Sequence, residues 1–144
     1  MNVPSGSMIP TMMEKDHILF NRLAYVFQSV ERGDIVVFKF DNDSSRKDIG
    51  SYYVKRVIGL PGDTVSFENG VVFINNQPYY EEYLPEQGMT YSNDTFEVPE
   101  DSYFVLGDNR SNSYDARYWE NPYITSEQIQ GKVLCVLPWH LFRK

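Results

Sequence analysis

The sequence contains few of the residues that carry several common chemistries. It has a single cysteine, Cys135, and two histidines, His17 and His140, in 144 residues. One cysteine excludes an intrachain disulfide, and its position in an apolar run predicts a small buried hydrophobic residue, not a reactive thiol. Neither histidine lies in a constrained turn, which argues against a histidine-activated nucleophile. We also expect no metal ion and no cofactor.

Long apolar runs and an excess of positive charge are also absent. No stretch approaches the roughly 20 apolar residues that are needed to cross a bilayer. Thirteen Lys and Arg residues against 20 Asp and Glu residues give a formal net charge of −7. An acidic chain without a basic cluster argues against nucleic-acid binding. Its length suits one compact domain with its own core.

The sequence is instead rich in short aromatic and β-branched runs, which predict strands. The predicted strands cover residues 18–23, 35–40, 52–59, 103–106 and 132–137. A hairpin is predicted over residues 64–74, because Asn69-Gly70 suits a type I′ turn. We interpret the charged residues 41–50 as a solvated hairpin tip, and residues 75–99 show little periodicity.

Ser7 lies in the most constrained stretch of the chain, residues 3–11. Gly6 can turn without a side chain, whereas Pro4 and Pro10 restrict their own backbones. A serine that is held in this way is a candidate nucleophile. Its hydroxyl is weakly reactive at neutral pH, so it needs a base.

Lys55 is the candidate base. In a strand over residues 52–59, side-chain alternation places Lys55 on one face with Tyr53 and Val57, and Arg56 on the other as an ordinary cation. On an apolar face, desolvation disfavours the ammonium form and lowers the lysine pKa, as a general base at neutral pH requires. The alternative is a solvated lysine on an edge strand, and periodicity alone favours this alternative.

A third polar stretch, residues 107–117, follows the predicted strand 103–106. It can be interpreted as a turn whose side chains bond the local backbone, with an ion pair between Asp115 and Arg117. It can also be interpreted as the source of a hydroxyl that orients a neutral lysine. Composition does not distinguish the two interpretations.

These stretches, in this order, resemble the motifs of type I signal peptidases, the membrane-bound serine proteases that remove signal peptides from exported proteins. The resemblance spans nearly the whole chain. Its motifs are Pro4-Ser5-Gly6-Ser7-Met8-x-Pro10-Thr11, residues 32–38, residues 53–63 around the lysine, and Gly107-Asp108-Asn109-Arg110-x-x-Ser113-x-Asp115-x-Arg117. The last two motifs are long enough to make the combination highly specific.

The resemblance implies a role for each matched residue. Ser7 would attack the scissile carbonyl, and Lys55 would take its proton and later return it to the leaving amine. The backbone N–H of Ser7 and the hydroxyl of Ser5 would form the oxyanion hole. Ser113 would orient Lys55.

Three further matched residues would support the site. Gly107 would pack beside the lysine, and Asp115 and Arg117 would brace the loop as an ion pair. At Ala116 many family members carry a serine. That position is not the one matched to the lysine-orienting hydroxyl, so the departure casts little doubt on activity.

The fold that the resemblance implies is mainly β, with an antiparallel coiled-sheet catalytic core and a small accessory β extension. We expect residues 1–65 and 100–144 to form the core and residues 66–99 the extension. Family members carry an N-terminal membrane anchor ahead of the first motif. The resemblance therefore implies a single-pass protein of the bacterial cell membrane, of which this sequence is the extracytoplasmic part.

The implied substrates are the signal peptides of exported preproteins, with pilins as a second class. Cleavage would follow small residues of the Ala-x-Ala type. The pockets for these residues would be lined by Pro4, Met8, Tyr53 and Val54. The backbones of residues 1–5 and 52–54 would pair with the extended substrate.

Two other functions share parts of this pattern. A self-cleaving repressor of the bacterial damage response uses the same serine–lysine chemistry and fold. It needs an attached DNA-binding segment and an internal cleavage site, and neither is visible. The remaining alternative is a signal-peptidase-like assembly factor that binds pilus subunits, either without catalysis or as a peptidase dedicated to pilins.

Overall fold

The computed structural model describes residues 1, 3 and 5–141, and the strands of this part of the chain are antiparallel. The elements in chain order are β1 (His17–Asn21), α1 (Ala24–Phe27), β2 (Ile35–Lys39), β3 (Tyr52–Gly59), β4 (Thr64–Glu68), β5 (Val71–Ile74), β6 (Gln77–Pro78), β7 (Phe96–Glu97), β8 (Ser102–Leu106), β9 (Ile124–Thr125) and β10 (Ile129–Leu137). Single 3₁₀ turns begin at Arg110, Ser126 and Trp139. None of the helices among these residues is both long and apolar enough to span a bilayer. The mainly β fold is confirmed.

The larger sheet has six strands in the order β1-β10-β2-β3-β8-β9. β3 is a central strand, because Lys55 pairs with Val36 of β2 and Arg56 pairs with Leu106 of β8. Every residue of β3 from Val54 to Gly59 is buried. β2 pairs with the first part of this strand, up to Arg56, and β8 pairs with it from Arg56 onward.

The smaller sheet has four strands in the order β6-β5-β4-β7. Its main hairpin joins β4 and β5. At the tip, Asn69 and Gly70 have φ values of 52° and 77°, and a type I′ turn requires positive φ at both positions. The predicted hairpin is confirmed.

The two sheets share one hydrophobic core. Val65 and Phe96 of the smaller sheet belong to the same buried cluster as Phe104 of the larger sheet. Gly59, at the end of β3, permits this close approach, since a Cβ atom there would lie 2.9 Å from a methyl group of Val65. The division into a catalytic core and an extension of residues 66–99 stays a prediction.

A second buried cluster attaches the stretch around Ser7 to the larger sheet. Met8 and Met12 pack with Val37 of β2 and Val54 of β3. Burial of side chains of this size contributes about 1.5–3 kcal/mol each. The stretch is therefore held by packing against the sheet as well as by its own backbone.

Two local predictions are wrong. Cys135 is exposed, because it lies beside the edge strand β1, where it pairs with the exposed residue Leu19. The charged segment 41–50 is not a wholly solvated tip. Asn42 is 2% exposed, and its amide donates a hydrogen bond to the carbonyl of Asn121 at 2.9 Å.

Candidate active site

Ser7 lies in a tight turn whose backbone is fixed by its neighbours. The N–H of Ile9 donates to the carbonyl of Gly6 at 3.1 Å, and the N–H of Asn109 donates to the carbonyl of Ser7 at 2.8 Å. The side chain of Asn109 also donates to the carbonyl of Gly6 at 3.0 Å. Residues from the far end of the chain therefore hold the serine in place.

Lys55 meets Ser7 inside the protein. Its Nζ lies 2.6 Å from Oγ of Ser7 in a hydrogen bond, and the residue is 4% exposed. The ring of Tyr53 lies beside the amine, with its centroid 5.3 Å from Nζ. The alternative of a solvated edge-strand lysine is wrong, because the side chain is buried and its amine is bonded to Ser7.

The environment of Lys55 changes its protonation. Burial lowers the pKa of the amine from 10.5 to about 8, and the carboxylates of Asp115 and Asp108 act in the opposite direction. Desolvation outweighs both carboxylates because neither contacts the amine directly. A substantial fraction of the lysine is therefore neutral near pH 8 and can accept a proton from a hydroxyl 2.6 Å away.

Ser5 lies on the solvent side of this pair. Its Oγ is 3.1 Å from Oγ of Ser7, and the backbone N–H of Ser7 donates to it at 3.4 Å. The N–H of Ser7 and the hydroxyl of Ser5 thus both lie close to Oγ of Ser7. Such donors are suited to stabilise a developing negative charge.

Ser113 and Gly107 pack against each other next to Ser7. A Cβ atom on Gly107 would lie 2.1 Å from Oγ of Ser113 and 2.5 Å from the carbonyl oxygen of Ser7, so only glycine fits. The implied position of Gly107 beside Lys55 stays a prediction. Oγ of Ser113 is buried and has no hydrogen-bond partner among the described residues. The orienting bond to Lys55 is therefore not formed in this structure.

Asp115 and Arg117 form the expected ion pair. The guanidinium donates from Nε to Oδ1 at 2.8 Å and from Nη2 to Oδ2 at 2.9 Å. Both side chains are buried, and Asp115 also accepts the N–H of Gly107 at 3.1 Å. The pair thus fixes the first residue of the loop 107–117.

A second ion pair was not predicted. Arg56, which we expected to be an ordinary cation, is buried, and it donates to Asp108 from Nε at 2.9 Å and from Nη2 at 2.7 Å. The hydroxyl of Thr11 donates to the same carboxylate at 2.5 Å. Opposite charges in two motifs hinted at this pair, but the sequence holds many other acidic partners for Arg56.

A cavity of about 1000 Å³ opens beside the two reacting groups. Three of the predicted substrate-binding residues line it, namely Met8, Tyr53 and Val54. The fourth, Pro4, lies outside the described residues. Neither His17 nor His140 is among its lining residues, and the residues that the structure describes contain no group of three or more metal-binding side chains.

The predicted substrate-pairing edges are only partly open. β8 pairs with β3 only from Arg56 onward. Among the described strands, residues 52–54 therefore pair with β2 but have no partner on their other edge. The backbone of Val3 is already used, because its N–H donates to the carbonyl of Asp16 and its own carbonyl accepts from Lys15. Residues 2 and 4 of the predicted substrate-pairing stretch lie outside the described residues.

Comparison with known proteins identifies relatives along almost the whole chain. The family profile described as "Signal peptidase, peptidase S26" matches residues 1–139. A probable signal peptidase I-2 from Synechocystis is 38% identical over 130 residues, which cover 90% of this chain and 58% of that protein. A signal peptidase I from Leptolyngbya laminosa is 39% identical over 134 residues, which cover 92% of this chain and 64% of that protein.

A solved structure is similar in fold. The crystal structure of a signal peptidase I from Enterococcus faecalis matches with a TM-score of 0.61 and 31% sequence identity. The match covers 75% of this chain and 98% of that one. The chain spans about three fifths of the length of the two curated relatives named above.

Proposed function

The chain belongs to the signal peptidase family, peptidase S26, and we propose that it is a serine endopeptidase that removes signal peptides from exported preproteins. The observation that carries the proposal is the 2.6 Å contact between Nζ of Lys55 and Oγ of Ser7 in a buried niche. A serine needs a base within hydrogen-bond reach, and a lysine can serve only when it is neutral. The lowered pKa of Lys55 meets the second condition.

In the proposed reaction, Lys55 takes the hydroxyl proton of Ser7 as Oγ attacks the scissile carbonyl. The negative charge that develops on the carbonyl oxygen is stabilised by the N–H of Ser7 and the hydroxyl of Ser5, each worth about 3–4 kcal/mol in sites of this kind. The lysine ammonium then gives its proton to the leaving amine. Water, deprotonated by the same lysine, hydrolyses the acyl-enzyme and restores both groups.

Ser113 is proposed to act when Lys55 is charged. Its buried hydroxyl has no partner among the described residues, and a buried hydroxyl without a partner is energetically costly. A small movement of the lysine ammonium towards Ser113 after proton transfer would satisfy both groups. Asp115 and Arg117 have the supporting role of holding the loop that carries Ser113.

Substrate recognition is proposed to occur in the cavity beside Ser7. Met8, Tyr53 and Val54 line it, and their bulk would admit only small side chains of the Ala-x-Ala type. An extended substrate would add to the free edge of residues 52–54 as a further strand. The location at the cell membrane, with the catalytic part outside the cytoplasm, follows from the family resemblance and belongs to the same proposal.

Cleavage of a synthetic precursor peptide with an Ala-x-Ala site tests the proposal. We expect Ser7→Ala and Lys55→Ala each to abolish turnover, because each removes one half of the reacting pair. Lys39→Ala is the matched control, since Lys39 is an exposed lysine in the neighbouring strand β2, and it should cleave like the unaltered protein. Retained turnover in Ser7→Ala or Lys55→Ala would refute the assignment.

Covalent labelling distinguishes the enzyme from a pilin-binding factor without catalysis. A penem-type acylator should add its mass to Ser7, and peptide mass spectrometry can localise the added mass to this residue. It should not label the Ser7→Ala variant. Absence of labelling in the unaltered protein, together with binding of pilin, would favour the assembly factor.

A further inference from the structure

Glu81 is buried in a part of the chain where the sequence shows little periodicity. It is 2% exposed, and it lies in the connection between β6 and β7. Its carboxylate accepts hydrogen bonds from Nη1 of Arg110 at 2.9 Å and from Nη2 of the same residue at 2.5 Å. The hydroxyl of Tyr83 donates to it as well. A buried carboxylate needs such partners, because an unpaired charge in the interior is strongly destabilising.

Arg110 carries this connection into the loop 107–117. Its Nε donates to the carbonyl of Gly107 at 2.8 Å, and its Nη1 donates to the hydroxyl of Thr90 at 2.9 Å. Its own carbonyl accepts from Nη2 of Arg117 at 2.8 Å. The guanidinium therefore joins the segment 75–99 to the turn that begins at Arg110.

That turn lies between residues that pack beside the backbone of Ser7. Ser113 directly follows the turn Arg110–Asn112, and Gly107 packs against both Ser113 and the carbonyl of Ser7. A shift of Gly107 by a few tenths of an ångström would therefore move Ser113 or the backbone of Ser7. Neither Glu81 nor Arg110 is among the residues that line the substrate cavity.

The same segment also contacts the residue next to Lys55. The ring of Tyr83 lies with its centroid 3.6 Å from the guanidinium carbon of Arg56. Arg56 is in turn held by Asp108. The segment 75–99 thus reaches both the loop beside Ser7 and the strand that carries Lys55.

We propose that Glu81 is a positioning residue for the reaction of Ser7 and Lys55: its carboxylate holds Arg110, and Arg110 holds Gly107 and the following turn against Ser7. The inference rests on the proposed peptidase function. Glu81 does not touch the substrate or the reacting atoms, so its effect is on the rate of acylation and not on substrate binding. The segment 75–99, which lies within the extension that the family resemblance implies, would then be part of the support of the site.

The test compares Glu81→Gln with Glu82→Gln, because Glu82 is the exposed neighbour of the same chemistry. The kcat and KM for cleavage of an Ala-x-Ala peptide are measured, and kcat is expressed per active site. The active sites are counted by mass spectrometry as the fraction of the protein that a penem-type reagent acylates. This correction removes the effect of unfolded protein. We expect Glu81→Gln to lower kcat per active site by about 10-fold to 100-fold with little change in KM, as for a small misplacement of reacting groups. Glu82→Gln should match the unaltered protein.

Thr90→Val is the second variant, in case Glu81→Gln does not fold. It removes one acceptor of Arg110 and preserves shape and the ion pair, so kcat should fall in the same direction by a smaller factor. If the folded variant at either position has a kcat per active site equal to that of Glu82→Gln, the inference is overturned. The proposed peptidase function is tested separately. It fails if the Ser7→Ala variant, in which Glu81 is intact, retains turnover.

Discussion

The ion pair of Asp115 with Arg117 and the ion pair of Glu81 with Arg110 are both buried, but they connect very different lengths of chain. The first joins residues two apart within the loop 107–117, and the second joins residues 29 apart. An ion pair between residues close in sequence restrains only its own loop. An ion pair between distant residues fixes two regions relative to each other, and its formation costs more loop-closure entropy. The loop beside Ser7 is therefore held both from within and from a distant segment.

Both pairs act on the same residue. Asp115 accepts the N–H of Gly107, and Arg110 donates to the carbonyl of Gly107. Gly107 is also the residue that packs against Ser113 and the backbone of Ser7. The local pair and the distant pair therefore restrain the same backbone position from two sides, and variants of each should differ in a predictable way.

The largest expected effect is on stability and comes from breaking the local pair. Asp115→Asn leaves the guanidinium of Arg117 buried without a countercharge, which typically costs about 3–5 kcal/mol. Urea unfolding followed by tryptophan fluorescence measures the loss. Asp94→Asn, at an exposed position, is the control and should leave the midpoint unchanged. A loss of less than about 1 kcal/mol in Asp115→Asn would mean that the pair contributes no more than a surface ion pair.

The next effect is on the pH dependence of acylation. Because only the neutral amine accepts the proton of Ser7 and burial lowers the pKa of Lys55 to about 8, the acylation rate should rise with pH and level off above about pH 8. Below that midpoint the rate should fall about tenfold per pH unit. Stopped-flow acylation by a penem-type reagent between pH 6 and pH 10 provides the profile. A rate that is flat across this range would contradict lysine as the base.

The same profile separates the two ion pairs. The carboxylate of Asp115 raises the pKa of Lys55, so Asp115→Asn should move the midpoint to lower pH. Glu81 is not among the groups that shift this pKa. Glu81→Gln should therefore lower the plateau without moving the midpoint, and a moved midpoint would show that the two pairs act in the same way.

The smallest expected effect is at the opposite edge of the larger sheet. Cys135 is exposed and remote from both ion pairs, so Cys135→Ser should change the free energy of unfolding by less than about 0.5 kcal/mol. Urea unfolding under the conditions used for Asp115→Asn gives the comparison. A loss comparable to that of a core substitution would mean that the thiol is buried in solution.

Much of the fold could be predicted from local patterns. The aromatic and β-branched run 52–59 became β3, and Asn69-Gly70 formed the predicted hairpin turn. The motif around Ser7 and the pair Asp115–Arg117 could also be predicted, since each depends on residues close together in the chain. Alternation and turn chemistry act over a few residues, so a single sequence contains them in full.

Contacts between distant residues could not be predicted in this way. The burial of Cys135 was expected from its apolar neighbours, but the position of β10 beside an edge strand exposes it. Arg56 was expected to be an ordinary cation, and its partner Asp108, 52 residues away, could not be identified from local patterns. Glu81 lies in a segment without periodicity, so no local signal pointed to its burial.

The sequence by itself determined which residues could react and where the longer strands would form, because side-chain chemistry, alternation and turn preference belong to neighbouring residues. Only the tertiary structure decided that the amine of Lys55 lies 2.6 Å from the hydroxyl of Ser7 and is shielded from water. Desolvation is a property of everything packed around a group, and here that packing comes from the first motif, the central strand and the last motif together. The lowered pKa of Lys55, on which the proposed chemistry depends, is therefore a consequence of the fold and not of the residue.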